Sequence, residues 1–282
     1  MFPFESIKVV NIETVSGCNL RCEWCSLSIT KKKLRFMEPA VLDRILEQFR
    51  GMDVLIAPYL GGEPLLHPDF PSVVRQIREA GFQRIRIHTN GTCMDPELAE
   101  ALVSAGLTEV VFSIDGRDAA DFERLRGTSF AGVKAALCTF LDVAKGRTKV
   151  GVQCLVSAGG PKVMNADLVD LRDRLDFEIV EYPHNWVWSD LVSADTVSPE
   201  GAQTPCFFLQ YYMSFDWQGK VLPCCRCLNS EHIVGDILKK SARDVWAGGI
   251  EDMRQAHERA EKIEPCSMCD WYVPNAKVKE AV

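Results

Sequence analysis

"IKVVNIETVSGCNLRCEWCS", residues 7–26, is the stretch on which the reading of the whole chain turns. Its first half, IKVVNIETV (7–15), is β-branched and reads as a strand. Its second half packs Cys18, Cys22 and Cys25 into eight residues with no fourth cysteine alongside. The strand opens a repeat. EPAVLDRILEQF (38–49) carries Val41, Leu42, Ile45, Leu46 and Phe49 at helical spacing, and DVLIAPYL (53–60) is a second strand. The helix after it bears Phe70, Val73, Val74 and Ile77 and ends at Gly81. RIRIHTN (84–90) is a third strand, and DPELAEALVSAG (95–106) a helix with Asp95 as N-cap, Pro96 in the first turn and Gly106 past the end. EVVFSID (109–115), the helix FAGVKAALCTFLDVAKG (130–146), KVGVQCLV (149–156), a helix over 165–175 and FEIVEY (177–182) continue the alternation.

Six βα repeats imply a parallel sheet, because parallel strands need crossover helices. The fold class is α/β. Periodicity leaves open sheet and barrel undecided, but in either the chemistry gathers at the C-terminal strand ends. The alternation stops after Tyr182, and PHNWVWSDLVSADTVSPEGAQTP (183–205) reads as loop. Beyond it, two short strand candidates flank the turn DWQG (216–219), and SARDVWAGG (241–249) and IEDMRQAHERAEKI (250–263) look helical. The expected domains are 1–190, a linker or lid at 191–205, and a small cysteine-rich unit at 206–282. That last unit has little apolar mass for a core of its own, so a metal staple is expected in it.

The totals bound the function. The 282 residues carry a net charge of −7, which is not the basic footprint of a nucleic-acid binder. The Lys31-Lys32-Lys33 run reads as a solvated loop. The sequence has no apolar run of membrane-spanning length and no signal pattern, so no membrane association and a cytoplasmic location are expected. Twelve cysteines in a reducing compartment point to metal ligation or catalysis rather than disulfides. Three sit at 18–25 and six between 206 and 269, while Cys93, Cys138 and Cys154 stand apart and read as core thiols.

Thiolates are soft ligands suited to zinc or iron–sulfur clusters. Structural zinc takes four ligands. A 4Fe–4S cluster held by three cysteines leaves one iron without a protein ligand. By spacing alone, a zinc site completed from elsewhere or three buried thiols remain alternatives.

C-x3-C-x2-C after the first strand of a βα-repeat chain resembles the radical S-adenosylmethionine (SAM) superfamily. So do GGEP (61–64) at the end of the second strand, TNG (89–91) after the third, and SIDG (113–116) at the end of the fourth, with Arg126 thirteen residues after Ser113. The resemblance covers residues 7 to about 182 and implies a partial (β/α)6 TIM-like barrel. It implies cluster ligation by Cys18, Cys22 and Cys25, with the vacant iron chelating the amino and carboxylate groups of SAM. It places Trp24 near the adenine, Gly62 and Glu63 at the methionyl amino group, and Asn90 near the ribose. It assigns Ser113 and Arg126 to the carboxylate, and Leu155 and Val156 to the flanks of the adenine. Arginine offers a two-pronged fork for a carboxylate.

Cys206, the hairpin glycine Gly219, Cys224 and the Cys266/Cys269 pair resemble the twitch domain, a shortened SPASM domain. The resemblance implies one auxiliary 4Fe–4S cluster, making two clusters with SAM as cosubstrate. The same four thiols would also build a zinc site. The run CCRC (224–227) leaves Cys225 and Cys227 as further candidates, as cluster ligand, structural thiol or hydrogen-atom donor.

The short form resembles that of the 2-deoxy-scyllo-inosamine dehydrogenases. This implies oxidation of a secondary alcohol of a small polar natural product, an aminocyclitol or sugar, with the auxiliary cluster as electron acceptor. Glu181, at the sixth strand, is a candidate base, and Tyr182, His184, Asn185, Trp186 and Trp188 are candidates to cover the barrel mouth. His88 reads as a wall residue, and His67, His232 and His257 as loop or surface. Other readings are an epimerase or redox-neutral enzyme with a cysteine donor, a peptide-modifying enzyme, and a non-catalytic iron–sulfur or zinc protein. The expected partners are a small-molecule substrate, with a peptide less favoured, and a flavodoxin or ferredoxin-type electron donor.

Overall fold

The structure is a computed structural model describing residues 2–23, 25–30, 32–156, 166–175, 177–183, 205–228, 232–259, 261 and 263–266. The first half alternates as its periodicity requires. Strand β1 (Val9–Ile12) leads into the short strand β2 (Val15–Ser16), which pairs with β3 (Arg35–Phe36) across the cysteine loop and helix α1 (Ser26–Thr30). Then come α2 (Pro39–Gln48), β4 (Leu55–Ala57), α3 (Phe70–Glu79), β5 (Arg84–Thr89), α4 (Pro96–Ala105) and β6 (Glu109–Ser113). Helices α5 (Ala119–Arg126) and α6 (Phe130–Ala144) precede β7 (Lys149–Val156), α7 (Ala166–Leu175) and β8 (Glu178–Pro183). Local chemistry sets the helix starts: the Asp95 carboxylate accepts from Leu98 N–H, and Ser129 Oγ accepts from Gly132 N–H. Helix α5 is an addition to the periodic reading. Asp118 caps it by accepting from Asp121 N–H, and its eight residues are too few for a clear apolar stripe.

All six repeat strands are parallel neighbours, in the order β1-β4-β5-β6-β7-β8. The sheet does not end at β1. Helix α8 (Phe207–Tyr211) delivers strand β9 (Tyr212–Phe215), which pairs in parallel with β1 in the register Val9↔Tyr212 to Ile12↔Phe215. Strands β10 (Lys220–Leu222) and β11 (Gly235–Asp236) extend the same sheet to nine strands. The sheet has two free edges, β11 and β8, and is not a closed barrel among the described residues.

The cysteine-rich unit therefore shares a core with the rest of the chain. Val221, Val245, Trp246, Ile250 and Met253 belong to the same apolar cluster as Phe4, Phe49 and Phe215. Helices α9 (Ala242–Ala247) and α10 (Gly249–Glu258) dock on the N-terminal segment: Trp246 Nε1 donates to Phe2 O at 2.9 Å. The buried Arg254 guanidinium stacks on the Trp246 ring, pairs with Glu251 and donates to Leu209 O. The expected shortage of apolar mass is met by borrowing the neighbouring sheet, a long-range pairing that composition does not reveal. No helix among the described residues is long and apolar enough to cross a membrane.

Candidate active site

A cavity of about 330 Å³ opens where the parallel strands end. Side chains alternate in a strand, so one residue in two faces inward. Asn11 of β1, Ala57 of β4, Arg86 and His88 of β5, Ser113 of β6 and Gln153 of β7 line the cavity, while Ile56, Ile85, Ile87, Phe112 and Val152 are buried in the apolar core.

The cysteine loop is held against this mouth by backbone contact. Gly17 forms a parallel bridge with Gly62, and Glu63 N–H donates to Gly17 O at 3.0 Å. A Cβ on Gly62 would stand 2.3 Å from Val15 O and 2.5 Å from Gly17 O, so only glycine admits this approach. On the other side, Glu23 N–H donates to Leu125 O and its carboxylate pairs with Arg124, pinning the loop to α5. Cys18, Cys22 and Cys25 all line the cavity. Burial pushes the Cys18 thiol up to about 11 and raises Cys22 as well. Leu20 N–H and Asn90 Nδ2 donate toward Cys18 Sγ, and Arg126 Nη1 lies 3.9 Å from Cys22 Sγ. Three soft thiols lining one cavity, with the Arg126 guanidinium beside Cys22 favouring its anionic form, suit a thiolate-ligated cluster.

Glu63 is buried and braced. Its Oε1 accepts from Thr89 Oγ1 at 2.7 Å and Leu65 N–H at 3.1 Å, and its Oε2 accepts from Asn90 N–H at 2.7 Å. It thus ties the GGEP loop to the TNG turn. Burial raises its pKa against these donors. Asn90 reaches Asn19 as well, at 2.9 Å, so the turn and the cysteine loop are joined. Arg126 closes the other flank. Its Nε donates to Asp115 Oδ2 at 2.6 Å, and that carboxylate is fully buried. Burial opposes the guanidinium charge, but Asp115 and the neighbouring thiols outweigh it and raise the pKa. Asp115 lies within SIDG, yet its partnership with Arg126 depends on the fold of α5 and has no signature in spacing.

The C-terminal unit supplies the rest of the wall: Phe208, Tyr212, Cys225, Arg226 and Leu228. Of the two CCRC candidates, Cys225 faces the cavity, and burial raises its thiol pKa well above the ordinary value. Cys227 is buried at 1% exposure and does not line it. Cys206 is buried and Cys224 and Cys266 are half-buried. Cys206 and Cys224 stand near enough to Cys225 for their charges to bear on it. His257 is not a surface residue: it is 1% exposed, its Nδ1 accepts from Cys206 N–H at 3.2 Å, and burial lowers its pKa to about 4. Lys32 is likewise not simply solvated, since it pairs at 2.9 Å with Glu13, a carboxylate with no exposed surface.

Trp24, Cys269, His184, Asn185, Trp186 and Trp188 lie outside the described residues. Leu155 and Val156 end β7 and Glu181 sits in β8 in register with Cys154, but their side chains lie outside the described residues. Cys154 is buried and absent from the cavity wall, and Cys93 and Cys138 are half-buried against the core. Tyr59, Arg86 and Arg226 are among the wall residues missed from sequence. The signal for one was present, because R-I-R-I-H alternates polar and apolar residues within a strand that parallel packing should make wholly apolar.

The model of the radical SAM superfamily matches residues 12–175, and that of an iron–sulfur cluster-binding domain, SPASM, matches 196–270. The GTP 3′,8-cyclase of Chlorobaculum tepidum is 34% identical over 134 residues, 47% of this chain and 40% of the cyclase. This chain therefore spans less than half of that relative. A tungsten-containing aldehyde ferredoxin oxidoreductase cofactor-modifying protein of Pyrococcus furiosus is 25% identical over 292 residues, 85% of this chain and 81% of its own. A PqqA peptide cyclase of Methylorubrum populi is 25% identical over 309 residues, covering 92% and 76%. Among solved structures, BtrN in complex with AdoMet and 2-DOIA superposes with a TM-score of 0.61 at 17% identity, covering 95% of this chain and 98% of that one. Streptococcus suis SuiB bound to S-adenosylmethionine gives 0.63 at 17% identity, covering 94% and 72%. Both are likenesses of fold.

Proposed function

Because the chain belongs to the radical SAM superfamily and carries a SPASM-type iron–sulfur domain, we propose that its cavity is the active site of a SAM-cleaving enzyme that oxidises a secondary alcohol of a small polar polyol. The cofactors of this family are SAM and 4Fe–4S clusters. When bound, they would supply hydrogen-atom abstraction from the carbinol carbon and, at an auxiliary cluster, an acceptor for the electron left as the hydroxyl proton departs and the ketone forms.

In this reading Cys18, Cys22 and Cys25 ligate the first cluster and leave one iron to SAM. Gly62 brings backbone close to the methionyl amino group, and Glu63 adds a carboxylate beside it. Ser113 and Arg126 receive the SAM carboxylate, with Asp115 fixing the guanidinium plane. Asn90 takes the ribose, and Trp24, Leu155 and Val156 the adenine. Cys206, Cys224, Cys266 and Cys269 hold the auxiliary cluster. Glu181 serves as base, and a flavodoxin or ferredoxin-type protein as reductant.

One observation carries the proposal: a single cavity is lined both by the N-terminal thiols and by Cys225 and Arg226 of the CCRC loop. A substrate held in that cavity would give up its hydrogen atom and its electron in the same space. The exposure of Cys225 to that cavity favours a second reading, in which its thiol returns a hydrogen atom and the reaction is redox-neutral. The test is anaerobic reconstitution and turnover. About eight irons per chain are expected, falling to about four in the Cys18/Cys22/Cys25 triple alanine variant. Reductant and SAM should yield 5′-deoxyadenosine, and their failure to do so sinks the radical reading. A product two hydrogens lighter than the substrate favours oxidation. Unchanged mass with solvent deuterium uptake that Cys225→Ala abolishes favours the second reading.

A further inference from the structure

The cysteine loop carries an unbalanced charge on its solvent side. Three consecutive residues, Ser16, Gly17 and Cys18, each hold a cationic segment against them. Ser16 pairs with Arg35 across the β2–β3 ladder. Gly17 meets the hairpin backbone: a Cβ on it would stand 3.1 Å from Lys33 O and 3.1 Å from Leu34 N. Cys18 O accepts from Arg21 Nη1 at 2.7 Å, and the same nitrogen donates to Leu20 O at 2.8 Å. Arg21, Lys33 and Arg35 are all exposed, and Leu34 is an exposed large apolar side chain at 45%. None of these four residues lines the cavity, so the patch lies outside it.

Other cations around the loop are neutralised. Lys32 turns to the buried Glu13. On the α5 flank, Arg117 and Arg124 pair with Asp121, and Arg124 also pairs with Glu23. Among the described residues, Arg21, Lys33 and Arg35 form no ion pair, not even with Glu38, the exposed residue that precedes α2. Three unpaired cations are a local exception on a chain of net charge −7. The chain as a whole repels an acidic protein while this spot attracts it, so charge orients the encounter. An apolar residue ringed by charge also has the make-up of a small contact, with a dry centre and a polar rim.

We propose that Arg21, Lys33, Leu34 and Arg35 form the docking surface of an acidic one-electron carrier protein, which meets the cysteine loop beside Cys18. The surface rests on the reading of Cys18 as a cluster ligand. The carrier loses one electron and the cluster gains it, with no atoms exchanged. Lipid and nucleic acid would meet the same charges, but the position of the patch on a cluster-ligand loop favours a redox protein.

The test is calorimetric titration of the reconstituted protein with an oxidised acidic flavodoxin and with an oxidised acidic ferredoxin. At least one should bind at about 0.05 M salt and lose most of its affinity at about 0.5 M. Arg21→Gln, Lys33→Gln and Arg35→Gln together should weaken low-salt binding by about 5–50-fold. Leu34→Ser should weaken it by about 3–10-fold at either salt. Lys8→Gln, Arg84→Gln and Lys145→Gln together remove the same charge before β1, at the start of β5 and past the end of α6, at the opposite end of the sheet. That control should stay within about twofold of the parent. 5′-Deoxyadenosine formation is the second readout: the patch variant should be slow with reduced carrier and unchanged with reduced methyl viologen, a small cation that needs no docking. Lys33→Gln with Arg35→Gln leaves the Arg21 bonds to the loop in place, and should show a partial loss even where the triple variant fails to hold iron. Binding of neither carrier would overturn the surface, as would binding indifferent to the patch variants or weakened equally by the control. Phosphatidylglycerol vesicles or a DNA duplex bound at the patch in preference to both carriers would overturn it as well. Charge-dependent carrier binding without 5′-deoxyadenosine from any reductant removes the radical chemistry alone. Viologen-driven cleavage with carrier binding indifferent to the patch removes the docking surface alone.

Discussion

Gly62→Ala puts one methyl group where two backbone carbonyls already stand. Its Cβ would lie 2.3 Å from Val15 O and 2.5 Å from Gly17 O. A carbon–oxygen contact tolerates little under 3.0 Å, so the GGEP loop must retreat from the cysteine loop by about 0.7 Å. Neither side yields cheaply, because both are backbone and the bridge between Gly17 and Gly62 runs through the contact. Overpacking of this kind costs about 1–3 kcal/mol, which lowers Tm by roughly 2–12 °C for a chain of this size. The same movement shifts Glu63, whose carboxylate spans to Thr89 and Asn90, relative to the three thiols. Misplacement of a positioning group by a sizeable fraction of an ångström costs about 10–100-fold in rate. The assay is 5′-deoxyadenosine formation from SAM with excess reductant, alongside iron content and a thermal melt. Iron content should hold, since no cysteine is touched, while the rate falls. Gly132→Ala is the control: it lies within α6 with its nearest neighbour, Ser129 Cβ, at 3.7 Å, and should stabilise by about 0.5–1 kcal/mol at parental rate. Parental rate and Tm in Gly62→Ala would refute the claim that this close approach aligns the two loops.

Three further outcomes follow from buried charges. Asp115→Asn leaves the Arg126 guanidinium buried without its counterion, so stability should fall by about 3 kcal/mol and SAM affinity by at least about tenfold, read by thermal melt and equilibrium dialysis. Unchanged SAM affinity would detach Arg126 from the cosubstrate. His88 has a folded pKa of about 3 against an ordinary 6.5, so the unfolded chain binds the extra proton and stability is lost as pH falls from 6.5 toward 3. His88→Gln should flatten that limb of the urea-melt pH profile, and an unaltered slope would contradict the assignment. Burial raises the Glu13 pKa and Lys32 pulls it back, so Lys32→Met should raise it further. A carboxyl with a raised folded pKa loses stability as pH rises, so the variant's deficit should be larger at about pH 8 than at about pH 5. A deficit independent of pH would show that the pair is not coupled.

What could be read in advance was local. Asp95, Pro96 and Gly106 announce α4 because capping and the left-handed terminus are decided within a few residues. The cysteine loop, GGEP and SIDG could be placed at strand ends for the same reason, since each motif follows its own strand within a few residues. The pairing of β9 with β1 joins residues about two hundred positions apart, and nothing in Tyr212–Phe215 names its partner. Asp115 escaped notice because its role is conferred by Arg126, which reaches it only once α5 has formed. Lys32 was misread for a related reason: a lysine run looks solvated until a buried carboxylate from another segment meets it. Arg86 was legible in principle, as a charge alternating with isoleucines inside a parallel strand, but its Glu109 partner lies on the next strand.

The most direct test of the account is electron–nuclear double resonance on the reduced protein, with SAM isotopically labelled in turn at its amino nitrogen and its carboxylate carbon. If Cys18, Cys22 and Cys25 hold a cluster with one open iron, both labels should show hyperfine coupling, the nitrogen as a directly bound atom and the carboxylate carbon as an atom one bond from the bound oxygen, and the triple alanine variant should show neither. A reduced cluster at full iron loading with no coupling to either label would contradict the account.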